Sequence, residues 1–410
     1  WLKRFTRRRP AQAVPQQRLR PGWWGLMANI ANRLIFPAPP PSYKKDFYKR
    51  HLCWIPWNPE ISPTRHLDDA TADGVPCMWF AAPKAASVML FLHGNAEDLG
   101  MSFSFARHMR DQFKVNVLAV EYPGYGLLKD IAPSEETVNE VVLTVFRYLV
   151  DQTGTPYDQI ILFGRSIGTG PAVYLASQFP VGGLILVSAF ASIKEAIRSI
   201  AGNLAAFFFK ERFPNIALIH NVSCPALFIH GERDGLIPAE QSLTLFRKCR
   251  SRKLLITPPS MEHNSNLFGD AAYLAVPAIN FFGLPGYCTS KPPKLPSELF
   301  ENPEKRRRKL RAEQPLDSEG NPWFWLCGCP SRPNVVRLSR DPHNVDFEGD
   351  GGAPSATSSA RRSPGYLRTE QSGSRSDLST ADLSSDHGAD ADAEMSADDG
   401  QQARQRRHEM

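Results

Sequence analysis

The sequence predicts an α/β fold, with a mostly parallel central sheet and helices on both of its faces. Six short apolar runs recur between residues 87 and 258. They are β-branched or leucine-rich and lack polar alternation, as expected of strands buried on both faces. Segments of helical length separate them, and regular strand–helix alternation builds a parallel sheet. A hydrophobic content of 42% over 410 residues supplies a sizeable core.

Residues 1–22 are basic and rich in Pro and Gln, which predicts disorder. In "WWGLMANIANRLIF" (23–36) apolar residues fall at 23, 26, 27, 30, 34 and 35, the pattern of a helix that Pro39 to Pro41 then stop. Behind a basic stretch such a segment either lies in a membrane interface or packs on the domain as an N-terminal helix. Residues 1–33 are therefore read as a basic leading segment and 34–283 as the main domain.

The first strand is "SVMLFLH" (87–93), followed by a helix over 98–110. "NVLAVEY" (116–122) comes next, and the "EYPGYG" that ends it reads as a Pro-Gly turn packed by aromatics. The helix over 134–150 has Ser134 as its N-cap and acids in its first turn. "QIILFG" (159–164) precedes a helix over 167–179, and "GLILVS" (183–188) follows. About 35 residues then separate this strand from the next, longer than an ordinary connection. They include "IAGNLAAFFFKERFPN" and predict a small apolar cap over 190–222, the alternative being a longer helical crossover. "PALFIHG" (225–231), a helix over 239–249, "KLLITP" (253–258) and a helix over 270–282 complete the domain. Residues 284–340 read as a Pro/basic linker containing "EKRRRKLR" and "NPWFWLCGCP", and 341–410 as a disordered acidic tail.

Charge and cysteines narrow the function classes. Residues 1–50 hold twelve Lys/Arg and one acid, Asp46, a candidate contact for an anionic surface. No nucleic-acid recognition motif accompanies this charge. The seven cysteines form no disulfide framework, so reduced thiols and a cytoplasmic setting are expected. Cys327 and Cys329 form CxC with no second half for a zinc site. No run reaches the roughly 20 apolar residues of a membrane span.

The chemistry centres on "GRSIG" (164–168), a GxSxG between a buried strand and a helix. That setting is the nucleophile elbow, with Gly164 and Gly168 required by the tightness of the turn and Ser166 projecting from the sheet's carboxyl edge. A serine hydroxyl needs a base, and the base an orienting acid. Asp234 follows the next-to-last strand and His263 the last, both at strand carboxyl ends where α/β sites gather. Glu232 and Asp158 are alternative acids that fit the expected loop less well. His93 and His230, each ending a strand before Gly, read as structural histidines, and His108 and His220 as surface or packing residues. Backbone N–H groups of Asn95 and Ile167 are the candidate oxyanion donors, with Gly94 allowing close approach. Because the donor is backbone, Asn95→Ala is expected to do little by itself. Tyr125 and Phe190 are candidate pocket residues. No metal or organic cofactor is expected.

At these residues the chain resembles the α/β-hydrolase superfamily. "HGNAEDLGMSFSF", "EYPGYG", "ILFGRSIGTGPAVYLAS", "FPNI", "PALFIHGERDGLIP" and "EHNS" together resemble the α/β-hydrolase domain-containing protein 17 group and the related group 13. The resemblance implies an α/β-hydrolase fold and a serine hydrolase with Ser166, Asp234 and His263 as its triad. It also implies removal of palmitate from protein cysteines at membranes. In that group palmitoylated cysteines near the N-terminus form the anchor, whereas residues 1–52 here hold none. A missing start, replacement by the Trp/basic segment, and absence from membranes are the alternatives. Cys327 and Cys329 are a candidate acylation site. The expected function is a palmitoyl-protein thioesterase, cytoplasmic with peripheral membrane contact, acting on an S-acylated protein or acyl ester. A carboxylesterase or lysophospholipase, a serine-aminopeptidase-like hydrolase, and a silent binding module are the rivals.

Overall fold

Consecutive residues of a strand point to opposite sides of a sheet, and in this protein both sides are buried. Leu90, Leu92, Leu162, Leu184, Leu186 and Phe228 enter one core cluster, while Met89, Phe91, Phe163, Ile185, Val187 and Leu227 enter the other. This accounts for the unbroken apolar runs. The computed structural model describes residues 32–63, 65, 73–284 and 292–312. Residues 1–31, the Cys327/Cys329 pair and the acidic tail lie outside the described residues, and with them the expectations of an interfacial helix, an acylation site and disorder.

Eight strands form one sheet in the order β1-β2-β4-β3-β5-β6-β7-β8. They are β1 (Leu52–Ile55), β2 (Val75–Phe80), β3 (Val88–Leu92), β4 (Asn116–Val120), β5 (Ile160–Arg165), β6 (Gly183–Val187), β7 (Ala226–Ile229) and β8 (Lys253–Ile256). Pairings from β4 through β3 to β8 are parallel, and the β1–β2 and β2–β4 pairings are antiparallel. The mostly parallel sheet is as expected, but β1 and β2 were not anticipated. Their sequences, LCWI and VPCMWF, are short and carry few β-branched residues, and the second contains a proline, so no strand pattern stands out.

Helices Glu135–Asp151, Thr169–Ala176 and Ala239–Lys248 bury side chains against one face, and Phe103–Phe113 and Ala275–Phe282 against the other. Ser134 caps its helix as expected. Its hydroxyl accepts from the Thr137 amide at 3.2 Å, and the Thr137 hydroxyl accepts from the Ser134 amide at 2.9 Å.

The long connection after β6 carries its own helices, Ile193–Phe207 and Asn215–Leu218. Gly202 breaks the first with φ of 82°. Beyond that break Leu204, Phe207 and Phe208 are 75–77% exposed, so this apolar stretch faces outward.

The segment read as a linker from 284 onward is structured near its start. Leu299 is buried in the core, and helix Pro303–Ala312 places Arg307 2.7 Å from Asp73. Basic residues alone gave no sign of this, because their partner lies more than 200 positions earlier.

Candidate active site

The site grows from one tight turn. β5 runs straight into a single turn of 3-10 helix at Ser166–Gly168 and then into helix Thr169–Ala176. Ser166 takes φ of 50°, a left-handed value that a serine adopts only under constraint from its surroundings. The flanking glycines are required sterically. A Cβ on Gly168 would stand 2.1 Å from the Leu92 carbonyl oxygen, and one on Gly164 2.5 Å from the Gly168 carbonyl oxygen.

His263 follows β8 and Asp234 follows β7, both at the carboxyl edge where Ser166 projects. His263 Nε2 lies 3.1 Å from Ser166 Oγ, and His263 Nδ1 lies 2.8 Å from Asp234 Oδ2. A carboxylate only accepts, so Nδ1 carries the imidazole hydrogen and Nε2 is left as the base facing the hydroxyl. Asp234 Oδ1 accepts from the amides of Leu236 at 3.0 Å and Ile237 at 2.8 Å. Burial pushes the Asp234 pKa up, but hydrogen bonds from His230, His263 and the Ile237 amide outweigh it and hold the carboxyl well below the usual range. The alternative acids lie elsewhere: Glu232 is exposed, and Asp158 sits in the 3-10 turn before β5, at the other end of the strands.

Glycine again permits the close approach of two loops. A Cβ on Gly231 would fall 1.9 Å from the Met261 carbonyl oxygen, and the Arg233 amide donates to that same oxygen at 3.2 Å. Arg165 donates to the His263 carbonyl at 3.3 Å, tying the histidine loop to the elbow. Neither role was read from the sequence, although the Gly between strand end and acid in "HGERD" was a signal for the first.

The loop after β3 is braced from several directions. Gly94 N–H donates to Glu97 Oε1 at 2.6 Å. The Asn95 side chain donates to the Ile35 carbonyl at 2.7 Å, and its oxygen accepts from the Tyr125 hydroxyl and from the Ala96 amide at 3.1 Å. Among the described residues, the backbone N–H groups of Asn95 and Ile167 donate to no protein acceptor. One of these amides follows Ser166 in the elbow and the other lies in the loop after β3, and neither is used in holding the fold. The expectation that Asn95 matters only through its backbone is revised, because its side chain makes three hydrogen bonds that hold the loop.

Tyr125 and Phe190, the candidate pocket residues, are 0% and 1% exposed and belong to the core. The Tyr125 hydroxyl donates to the Asn95 side-chain oxygen, so its polar end holds the loop. "EYPGYG" is the expected turn, with φ of 87° at Gly124 and 44° at Gly126, and Tyr122 donates to the His93 carbonyl at 3.1 Å. His93 is buried beside Glu121, and His108 bonds to Ser104 within its own helix.

The α/β hydrolase fold family matches residues 87–217. The chain is 33% identical over 257 residues to the α/β hydrolase domain-containing protein aho-3 of Caenorhabditis elegans, covering 60% of this chain and 76% of that protein. It is 29% identical over 234 residues to human α/β hydrolase domain-containing protein 17B, covering 54% of this chain and 80% of that protein. Among solved structures it is similar to the esterase domain of a Rhodothermus marinus protein, at 19% identity and a TM-score of 0.39, covering 52% of this chain and 93% of that one. It is also similar to an α/β hydrolase from Vibrio vulnificus, at 24% identity and a TM-score of 0.40, covering 48% and 75%.

Proposed function

The chain belongs to the α/β-hydrolase family, and we propose that it is a serine hydrolase of acyl esters and thioesters, with S-palmitoylated protein cysteines as its substrate class. The observation that carries the reading is the continuous hydrogen-bond chain from Ser166 through His263 to Asp234.

In this reading Ser166 Oγ attacks the acyl carbonyl while His263 Nε2 takes its proton. Asp234 holds the imidazole by Nδ1–H and stabilises the imidazolium that forms. The amides of Asn95 and Ile167 receive the oxyanion. His263 returns its proton to the leaving sulfur or oxygen, and the acyl group stays on Ser166. His263 then takes a proton from water, the hydroxide attacks the acyl-serine, and the proton returns to Ser166 as the fatty acid leaves. No metal or organic cofactor enters any step.

Two observations support a long acyl chain. The sequence resembles the domain-containing protein 17 group, and the connection after β6 presents Leu204, Phe207 and Phe208 to solvent. A cytoplasmic enzyme in peripheral contact with an anionic membrane fits the basic charge of residues 1–50. No helix among the described residues is long and apolar enough to cross a membrane.

The test is selectivity of the purified full chain among a palmitoyl-thioester peptide, p-nitrophenyl esters of rising chain length and an aminoacyl amide. Turnover of the palmitoyl thioester, with ester rates rising with chain length, is expected. Turnover of short esters alone points to a carboxylesterase, and of the amide alone to an aminopeptidase, and either removes the proposed substrate class.

A further inference from the structure

The basic run "EKRRRKLR" has no part in the mechanism above. It lies in helix Pro303–Ala312, which is fastened to the domain at several points. Leu299 ahead of it and Pro303 at its start are buried. The Asn302 side chain accepts from the Glu304 amide at 2.9 Å. Arg307 Nη2 lies 2.7 Å from Asp73 Oδ1, and Arg306 donates to the Asp73 carbonyl at 3.2 Å. Lys45 Nζ reaches Asp73 Oδ2 at 2.8 Å and Glu304 Oε1 at 3.3 Å.

Asp73 fixes which end of the sheet the helix occupies. It stands two residues before β2, which runs antiparallel to β4. The Glu121 amide, just past the carboxyl end of β4, donates to the Pro76 carbonyl at 3.2 Å. β4 pairs in parallel with β3, and β3 with β5, whose carboxyl end leads into Ser166. The basic helix is therefore anchored at the Ser166 end of the sheet.

Its charges divide into two faces. At 3.6 residues per turn, Lys305, Arg308 and Lys309 fall within a sector of about 100°. All three are exposed, whereas Arg306 and Arg307 are half-buried toward Asp73. Glu304 is the one acid in the helix sequence, and Lys45 holds it. The outward face is thus cationic throughout. Helix stability does not account for this face. Like charges three and four positions apart repel. Lys305 also stands in the first turn, beside the positive end of the helix dipole. An anionic surface outside the molecule relieves both.

We propose that the outward face of helix Pro303–Ala312 docks on the anionic headgroups of a membrane and sets the Ser166 end of the sheet against the bilayer. The choice of a membrane among polyanions rests on the proposed substrate class, whose acyl chain is seated in lipid. A contact at the Ser166 end brings the site to that chain. Residues 1–50, with twelve Lys/Arg against one acid, supply a second contact of the same sign, and Lys45 joins this segment to the helix. Two contacts linked in one chain bind more tightly than either alone.

The test is sedimentation of the full chain with vesicles of phosphatidylcholine alone or mixed with phosphatidylserine. Preference for the mixed vesicles is expected. The triple variant Lys305→Gln/Arg308→Gln/Lys309→Gln should bind them about tenfold more weakly or worse. These side chains are exposed, so the fold does not depend on them. Lys84, Lys114 and Arg250 are exposed cations at the opposite end of the sheet, before β3, β4 and β8. Replacing those three by Gln removes the same charge and should leave binding within about twofold, because charges beyond a Debye length are screened. Equal losses in the two triple variants would reduce the binding to net charge and overturn the proposal. Equal binding of the wild type to both kinds of vesicle would do the same. Tighter binding to an oligonucleotide or to polyglutamate than to the mixed vesicles would assign the face to another polyanion and also overturn it. Sedimentation requires no turnover, which separates the two readings. Binding through this helix without hydrolysis of any acyl substrate keeps the docking surface and removes the proposed substrate class. Hydrolysis of the palmitoyl thioester with equal binding to both vesicles removes only the docking surface.

Discussion

Ser166 has a left-handed φ, and the His263 imidazole lies 3.1 Å from its hydroxyl. The order serine, acid, histidine was legible in the sequence because each residue sits just past a strand, and strand ends share one edge. The side-chain role of Asn95 was not legible. Its partners Ile35 and Tyr125 lie 60 and 30 positions away, and nothing local marks them. Each hydrogen bond of this kind contributes about 1 kcal/mol. Asn95→Ala should therefore lower stability by roughly 1–3 kcal/mol in denaturant melts. It should also lower ester turnover about tenfold, less than the roughly 10²–10³ lost when an oxyanion donor is removed outright. Unchanged turnover would return Asn95 to a purely backbone role.

The parallel strands and their helices were readable because burial on both faces leaves an apolar run, and a capping serine marks a helix start. β1 and β2 were not, since antiparallel strands at a sheet edge need no crossover helix to announce them. The same part of the molecule contains a pH-sensitive element. His93 ends β3 with Nε2 3.3 Å from Glu121 Oε1, both side chains fully buried, and Tyr43 donates to the other carboxylate oxygen at 2.7 Å. Burial lowers the His93 pKa, but the hydrogen bond and charge of Glu121 outweigh it, so the folded value is raised. Stability from this pair is therefore fully present below the ordinary imidazole value of about 6.5 and is lost as pH rises through the raised folded value. The Tm of the wild type should fall across that rise, and Glu121→Gln should flatten the slope. An equal slope in both proteins would show that the pair contributes nothing to it.

At the scale of the chain, the described N-terminal residues brace the site as well as leading into the domain. Ile35 receives Asn95, the Ser42 amide donates to Asp98 at 2.6 Å, and Phe36 meets Phe213 edge-on at 6.4 Å. A deletion meant to test membrane contact must therefore stop before residue 32. Removing 1–31 should shift the protein from membrane to soluble fractions while ester turnover persists. Removing 1–43 should abolish turnover as well. If the shorter deletion leaves partitioning unchanged, the basic segment is not the membrane contact.

The central claim is that Ser166 is the nucleophile, and a fluorophosphonate probe tests it most directly. Reaction with the full chain, followed by digestion and mass mapping, should place the adduct on Ser166, and Ser166→Ala should abolish it. No labelling of the wild type, or labelling that survives Ser166→Ala, would contradict the account.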